Sequence, residues 1–500
     1  MENQKFDLDA PLLRFSGGDV LTVKDSFEGI AVFGGIGAGK TTSSGRLIAL
    51  NMLRHGYAGL VLTAKPDEVD LWRQYVCETG RGKDLIIIEP GGSEYFNFLD
   101  YECRQTQKGV SLRHNIVSLL ETVINSGQDT GAGLEDGRFW ASALRMTLSS
   151  VTTLCLLGYG TVNVQDLFDI AMCAPKEDDG HVQPEKPPHD PYTKARQEAE
   201  RRVQAKVNAF LATFPKEEIA DLEKRGLMDA FALQHVSSYR ALKQVNQFFS
   251  RSYKKLSSKT KSAIEFMIVG FLYQLLSEPF YSLFCNNPST FTPETCLEKG
   301  SIVVLNLPTK LHHEAGRMIQ VATKYCFQRA WEKRDTKVNN RPAFIFADES
   351  PIFLHALDAD FQATARSSMI ATVYLAQNLP GYFANMGGDK STYKVKQFLG
   401  TLATKIFHAN ADADTNKYAS ELIGQEYYDD KTEGVNFGDN VSFNESKAQK
   451  LRQIVRPEEF FRLATGGKNG FICEAYIHRQ GAPFNGKSHK KVRFKQQFFN

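Results

Sequence analysis

The chain is expected to fold as an α/β protein: a mainly parallel sheet covered by helices, interrupted by an inserted all-α domain. Three observations lead there. Apolar strand patterns alternate with amphipathic helical ones over residues 1–101, give way to helical patterns alone over 102–288, and resume over 289–500. A glycine-rich loop stands at the end of the first core strand, and an acidic pair stands at the end of a much later one. Those boundaries define the expected domains: a first part of the α/β domain, the helical insertion, and a second part ending in a basic tail.

Bulk properties allow this and little else. With 500 residues and 42% hydrophobic content the chain can bury a substantial core, and its length suits about two to four domains. Sixty basic and 57 acidic residues give a net charge of +3, so contact with nucleic acid has to come from local clusters of charge. The eight cysteines (Cys77, Cys103, Cys155, Cys173, Cys285, Cys296, Cys326, Cys473) include no close pair and no histidine at metal spacing, which reads as reduced, mostly buried thiols in a cytosol. Charges within Met1–Asp7 exclude the apolar core of a signal peptide there. The longest apolar run, Phe266–Leu276, is about half of what crosses a bilayer and reads as a buried helix, so the chain is expected to be cytoplasmic with no transmembrane segment.

In chain order, Leu12–Phe15 and Asp19–Val23 around Gly17-Gly18 read as a hairpin feeding the first core strand, Ile30–Phe33. A helix-like run follows at Ser43–Met52. Strands Gly59–Thr63 and Asp84–Ile88 then flank a helix over Asp67–Cys77. The insertion carries helical patterns at Leu112–Val123, Arg138–Leu156, Val203–Phe214, Tyr239–Phe249 and Lys261–Leu276; the proline-rich, charged stretch Pro175–Pro191 reads as an exposed, disordered loop. Beyond it come a strand at Ser301–Leu307, a helix from about Ala315 to Lys333, and strands Ala343–Ala347, Ile370–Ala376 and Thr404–Ala409.

The chemistry concentrates at three of these strand ends. Gly34-Gly35-Ile36-Gly37-Ala38-Gly39-Lys40-Thr41 fits G-x-x-x-x-G-K-[ST] at every fixed position. Backbone N–H groups of such a loop, continuing to Thr42, close around phosphates; Lys40 reaches the β- and γ-phosphates, and the Thr41 hydroxyl is placed to ligand Mg²⁺ where a helix begins. Asp348 and Glu349 follow the buried strand Ala343–Ala347. One carboxylate suits the Mg²⁺ shell and the other suits orienting and deprotonating a water. Gln377 ends the neighbouring strand, where an enzyme of this kind keeps its γ-phosphate sensor. The cofactors read from these motifs are ATP and Mg²⁺; a guanine-reading Asn-Lys-x-Asp motif is missing.

The order of motifs resembles the type IV coupling proteins of conjugation and type IV secretion, TraG/TraD-like members of the HerA–FtsK group of ring-forming DNA pumps. The likeness takes in Leu62–Glu68, similar to that family's lysine-glycine-glutamate turn with Pro66 in place of the glycine and Ala64 in place of an aspartate. It also takes in Tyr95–Asp100, similar to a Tyr-Asn-Pro-Leu signature with Phe98 for the proline, and Phe139-Trp140 at the insertion. Toward the carboxyl end, Ala365-Arg366-Ser367, Ala376-Gln377-Asn378 and Phe407–Gly424 resemble the family's arginine turn, sensor strand and closing strand and helix.

The resemblance implies a RecA-like P-loop domain, an ATPase that translocates DNA, a homo-hexamer when active, and relaxase or effector proteins bound by the helical insertion. It also implies Arg366 as an arginine finger acting on a neighbouring subunit, with a surface pairing to Asp358 or Asp360 as the plainer account, and Lys405 as a second cation or a solvated strand-end lysine. Two basic clusters, Arg251–Lys261 and Lys487–Lys495, suit sequence-nonspecific contact with single-stranded DNA; a solvated helix face or tail explains either equally well. Family members usually carry an amino-terminal membrane anchor, whereas this chain begins at the motor domain, so the expectation is either a separate membrane or channel subunit as partner or work in the cytosol. Two other roles remain open: a soluble HerA-like motor in DNA processing or defence, and an adaptor for substrates switched by ATP.

Overall fold

Buried β-branched and aromatic runs set the strands, and the computed structural model gives thirteen of them within its described residues: 6–105, 112–126, 134–175, 190–386, 391–436, 442–467 and 470–497. In chain order they are β1 (Pro11–Arg14), β2 (Val20–Thr22), β3 (Ile30–Phe33), β4 (Ala58–Leu62), β5 (Leu85–Ile88), β6 (Ile302–Leu305), β7 (Ala343–Ala347), β8 (Ile370–Ala376), β9 (Thr404–His408), β10 (Gln425–Asn436), β11 (Ser442–Gln453), β12 (Ile472–Arg479) and β13 (His489–Lys495). The chain divides into two units. The first holds Met1–Leu85, Cys296–Val304 and Ala330–Asn500; the second holds Ile86–Thr295 and Leu305–Arg329.

Eight strands of the main sheet lie in the first unit, in the order β13-β12-β9-β3-β8-β7-β4-β6. Strand β3 runs parallel to both β8 and β9, and β7 runs parallel to β8 and β4. Every residue of β3, β4, β7, β8 and β9 is buried, as parallel strands covered on both faces must be. Register then fixes the site. Phe33 is level with Ala376 and Phe407, and Ala347 is level with Leu62 and Tyr374, so the residues that follow β3, β4, β7, β8 and β9 emerge at one edge of the sheet. Aromatic packing holds the layers: Phe33 stacks on Phe407 at 5.4 Å, and Trp72 of helix Glu68–Glu78 stacks on Phe344 at 5.6 Å.

Gly59 of β4 leaves room for that layer. A Cβ there would lie 2.2 Å from the Phe344 ring. Gly59→Ala is therefore expected to destabilise the protein by roughly 1–3 kcal/mol through overpacking, seen as a lower denaturation midpoint with an unchanged slope.

The sheet is mixed at one side: β12 pairs antiparallel with β9 and with β13. The Lys487–Lys495 cluster is thus corrected from a tail to an edge strand. Val492 and Phe494 are buried while Lys491, Arg493 and Lys495 are exposed, the alternation of a half-buried strand. Its cations are largely occupied, Lys490 by Asp19, and Lys491 and Arg493 by Glu474. Strands β10 and β11 form a separate antiparallel hairpin.

The second unit is helical, with Phe98–Arg104, Leu112–Ser126, Leu134–Gly158, Val164–Met172, Pro191–Leu211, Lys216–Lys224, Met228–His235, Ser237–Gln247 and Ser258–Leu275. Of the stretch expected to be a disordered loop, 176–189 lie outside the described residues, while Asp190 caps the helix that Pro191 begins by accepting from the Thr193 N–H at 3.0 Å. Cations Arg251, Lys254, Lys255 and Lys259 are exposed, but Lys261 is buried and donates to the Lys254 carbonyl. Tyr253 is buried against Phe248 and Phe249, which removes the one aromatic ring of that cluster from the surface. Among the described residues one helix is long and apolar enough to cross a membrane, Phe139–Gly158, with mean hydropathy 1.2 and 56% of it buried. Scattered serines and threonines break its apolar run, which is why Phe266–Leu276 reads as longer in the sequence. All eight cysteines are free, and five of them are buried.

Candidate active site

The phosphate-type loop takes its shape from glycine. Gly37 and Gly39 have φ of 72° and 84°, the left-handed region where a side chain is strained. A Cβ on Gly39 would meet the Cys473 sulfur of β12 at 2.2 Å. The loop passes into a π-helical turn, Thr41–Gly45, in which the Gly45 N–H bonds the Lys40 carbonyl at 2.8 Å, and then into helix Arg46–Arg54. Such turns recur at functional sites. Ile36, at the tip, is 91% exposed.

Three groups brace the loop from behind. Ser44 Oγ and His408 Nε2 are 2.8 Å apart, and burial, with Lys40 nearby, pushes the imidazole down to about 3, so it stays neutral. Gln496 Nε2 donates to Thr42 Oγ1 at 3.1 Å. The Gln497 N–H donates to the Thr42 carbonyl at 3.2 Å, and Arg46 donates to the Gln497 side chain.

Lys40 is buried and its ammonium donates to the carbonyls of Gly34 and Gly35. Burial lowers its pKa, and the charges of Asp348 and Glu349 partly offset this. Thr41 Oγ1 donates to Asp348 Oδ2 at 2.7 Å. Glu349 follows β7 with φ 59° and ψ 40°, a left-handed conformation uncommon for a residue with a side chain, and its Oε1 accepts from Gln377 Nε2 at 2.9 Å. The Gln377 carbonyl is in turn held by Asn410 Nδ2 at 2.8 Å. Lys40, Thr41, Asp348, Glu349 and Gln377 thus form one cluster at the carboxyl edge of the sheet.

Lys65 completes it. Its ammonium lies 3.5 Å from Asp348 Oδ2, 3.3 Å from Glu349 Oε1 and 3.9 Å from Glu68 Oε1. Burial works to lower its pKa, but the three carboxylates outweigh that and raise it. Glu68 is pushed up to about 8 by its own burial and then by Asp348, and it accepts from the Ala64 N–H at 2.8 Å. Sequence reasoning placed Lys65 and Glu68 only in a turn and assigned them no contact with the acidic pair. The signal that could have found it is the charged run Lys65, Asp67 and Glu68 directly after a core strand.

Two expected cations lie elsewhere. Arg366 caps helix Asp358–Ala365, is exposed, and pairs with Glu28 at 3.1 Å instead of with Asp358 or Asp360. Glu28 also receives Arg479, which bridges to Asp25. Lys405 is no solvated strand-end lysine. It is level with Ala31, near the start of β3, is buried, donates to the Leu402 carbonyl, and is pushed down to about 8 by burial.

The donor set fits a nucleoside triphosphate with a divalent cation: a loop in which Gly37 and Gly39 hold positive φ and a Cβ on Gly34 or Gly39 would clash, a buried ammonium that donates to carbonyls, and a hydroxyl joined to a carboxylate. Among the described residues no cluster of three or more histidine, cysteine, aspartate or glutamate side chains is built to hold a metal by itself.

Fold and sequence comparisons agree on a class: the chain is similar to the TraG/TraD-like coupling proteins. Residues 343–465, from β7 through the β10–β11 hairpin, match the family described as the TraM recognition site of TraD and TraG. The bacterial conjugative coupling protein TrwBdeltaN70, in an unbound form, superposes with a TM-score of 0.62 at 14% identity, covering 99% of this chain and 90% of that one. TrwB with the GTP analogue GDPNP gives 0.58 at 14% identity over 99% and 91% of the two chains, and TrwB with ADP and Mg²⁺ gives 0.57 at 14% over 96% and 89%. No curated protein matches the chain.

Proposed function

We propose that this chain is the motor subunit of a conjugative or type IV secretion coupling complex, hydrolysing ATP with Mg²⁺ to drive DNA through a ring of its own copies. One observation carries the reading: Lys40, Thr41, Asp348, Glu349 and Gln377 meet in one cluster, by contacts of 2.7 and 2.9 Å across strands far apart in sequence. The superposition on TrwB supports the same reading at the level of fold.

In this mechanism the loop from Gly34 to Thr42 would bind the triphosphate, and Thr41 with Asp348 would hold the metal. Mg²⁺, when bound, supplies positive charge to the phosphate oxygens. Glu349 orients a water and takes its proton as the water oxygen bonds to the γ-phosphorus and the bond to the bridging oxygen of ADP breaks. Gln377 holds the Glu349 carboxylate and reports the γ-phosphate to the sheet. Arg366, exposed and paired with the half-buried Glu28, is free to swing to a neighbouring subunit's nucleotide. For DNA we assign Arg251, Lys254, Lys255 and Lys259, which are exposed, as phosphate contacts. The helical unit is proposed to receive relaxase or effector proteins, and residues 343–465, by the family they match, a TraM-like partner. The motor would work in the cytoplasm, in association with the transfer channel.

Steady-state assays test this. ATP turnover is expected to rise with single-stranded DNA, and to rise more steeply than linearly with protein concentration as rings assemble. Turnover indifferent to both would favour the second reading, an ATP-switched substrate receptor, which the recognition-site match also supports.

A further inference from the structure

We propose that Lys65 is the resident counter-ion of the acidic pair: it positions Asp348 and Glu349 and reserves their locus for a divalent cation that arrives with nucleotide. The inference rests on the site reading above and adds a residue to which that reading gives no task.

The atoms involved are specific. Lys65 faces Asp348 Oδ2, the oxygen that accepts from Thr41, and Glu349 Oε1, the oxygen that accepts from Gln377. One ammonium therefore spans the oxygen placed for the metal shell and the oxygen placed for the water. Without any ligand, Lys40 and Lys65 already oppose Asp348 and Glu349, with Glu68 as a third carboxyl group 3.9 Å from Lys65. A bare divalent cation entering beside Asp348 has to displace or crowd an ammonium already 3.5 Å from that oxygen. A cation carried in by a triphosphate brings compensating negative charge, and the penalty falls.

The turn that presents Lys65 is stiff. Pro66 fixes its own φ and disfavours the α conformation at residue 65, and the Ala64 N–H closes the turn on the buried Glu68 carboxylate. Lys65 itself is only 30% exposed, so the contact is screened less than a surface pair. Such geometry suits positioning; Lys65 need not touch a reacting atom.

The test uses the full chain with Lys65→Met, Lys65→Gln and Lys65→Arg, each checked for an unchanged thermal midpoint. Electron paramagnetic resonance with Mn²⁺ alone, without nucleotide, is expected to show Mn²⁺ bound about tenfold tighter by the two uncharged variants than by wild type, with Lys65→Arg near wild type. With ATP and Mg²⁺, kcat is expected to fall about 10–100-fold with KM changed by less than about threefold, and Lys65→Arg is expected to recover part of the loss. Equal affinity of the uncharged variants and wild type for bare Mn²⁺ overturns the proposal, as does a loss confined to KM. If wild type takes up no Mn²⁺ even with ATP present, the site reading itself fails; if it does, and only the Lys65 difference is missing, the failure belongs to this inference alone.

Discussion

Glu349→Gln is expected to abolish most ATP turnover, by about 10²–10⁴-fold, while leaving affinity for Mg²⁺-nucleotide within a few-fold of wild type. The amide keeps the shape of the side chain and a carbonyl oxygen to accept from Gln377, so the bond at 2.9 Å has a partner in the variant. What disappears is the basicity needed to take a proton from water. Binding rests on Lys40, Thr41 and the loop backbone, none of which the substitution touches. Single-turnover hydrolysis and fluorescent-nucleotide titration separate the two effects. A variant that still turns over ATP at a tenth of the wild-type rate would remove Glu349 from the role of base.

Arg366→Ala is expected to lower turnover about 10³-fold or more, the range of an arginine finger, with little change in stability. The small stability effect follows from its surroundings: the side chain is 62% exposed and its partner Glu28 keeps a second cation in Arg479. Exposed pairs of this kind contribute about 0–1 kcal/mol. A mixing experiment gives the sharper result. Arg366→Ala and Glu349→Gln subunits, each inactive alone, are expected to recover activity when mixed, because in some rings a subunit with an intact base faces a neighbour with an intact arginine. No recovery in mixed rings would place Arg366 outside the trans role.

Much of this site was legible before the structure. The glycine spacing around Lys40 and the acidic end of β7 are local patterns, and their geometry follows from strands that must be buried on both faces. Gln377 was legible too, because register in a parallel sheet makes strand ends level. The groups bracing the loop were not. Cys473, Gln496 and His408 reach it from β12, from beyond β13 and from β9, and nothing in their local sequence encodes that approach.

Strand β13 itself was missed although its pattern is regular. Its outward face is lysine and arginine, and that run of charge masks the alternation of Val492 and Phe494. The β10–β11 hairpin carries too few apolar residues for a strand pattern to stand out. Lys405 was misplaced because lysine is normally solvated, and only tertiary packing puts its ammonium onto the Leu402 carbonyl.

The grip of Gln496 and Gln497 on Thr42 and Arg46 turns the last strand into a lever. Displacement of that segment pulls on the same backbone that must mould itself to phosphate. A binding partner docking on that edge of the sheet would have a handle on the loop's grip of phosphate.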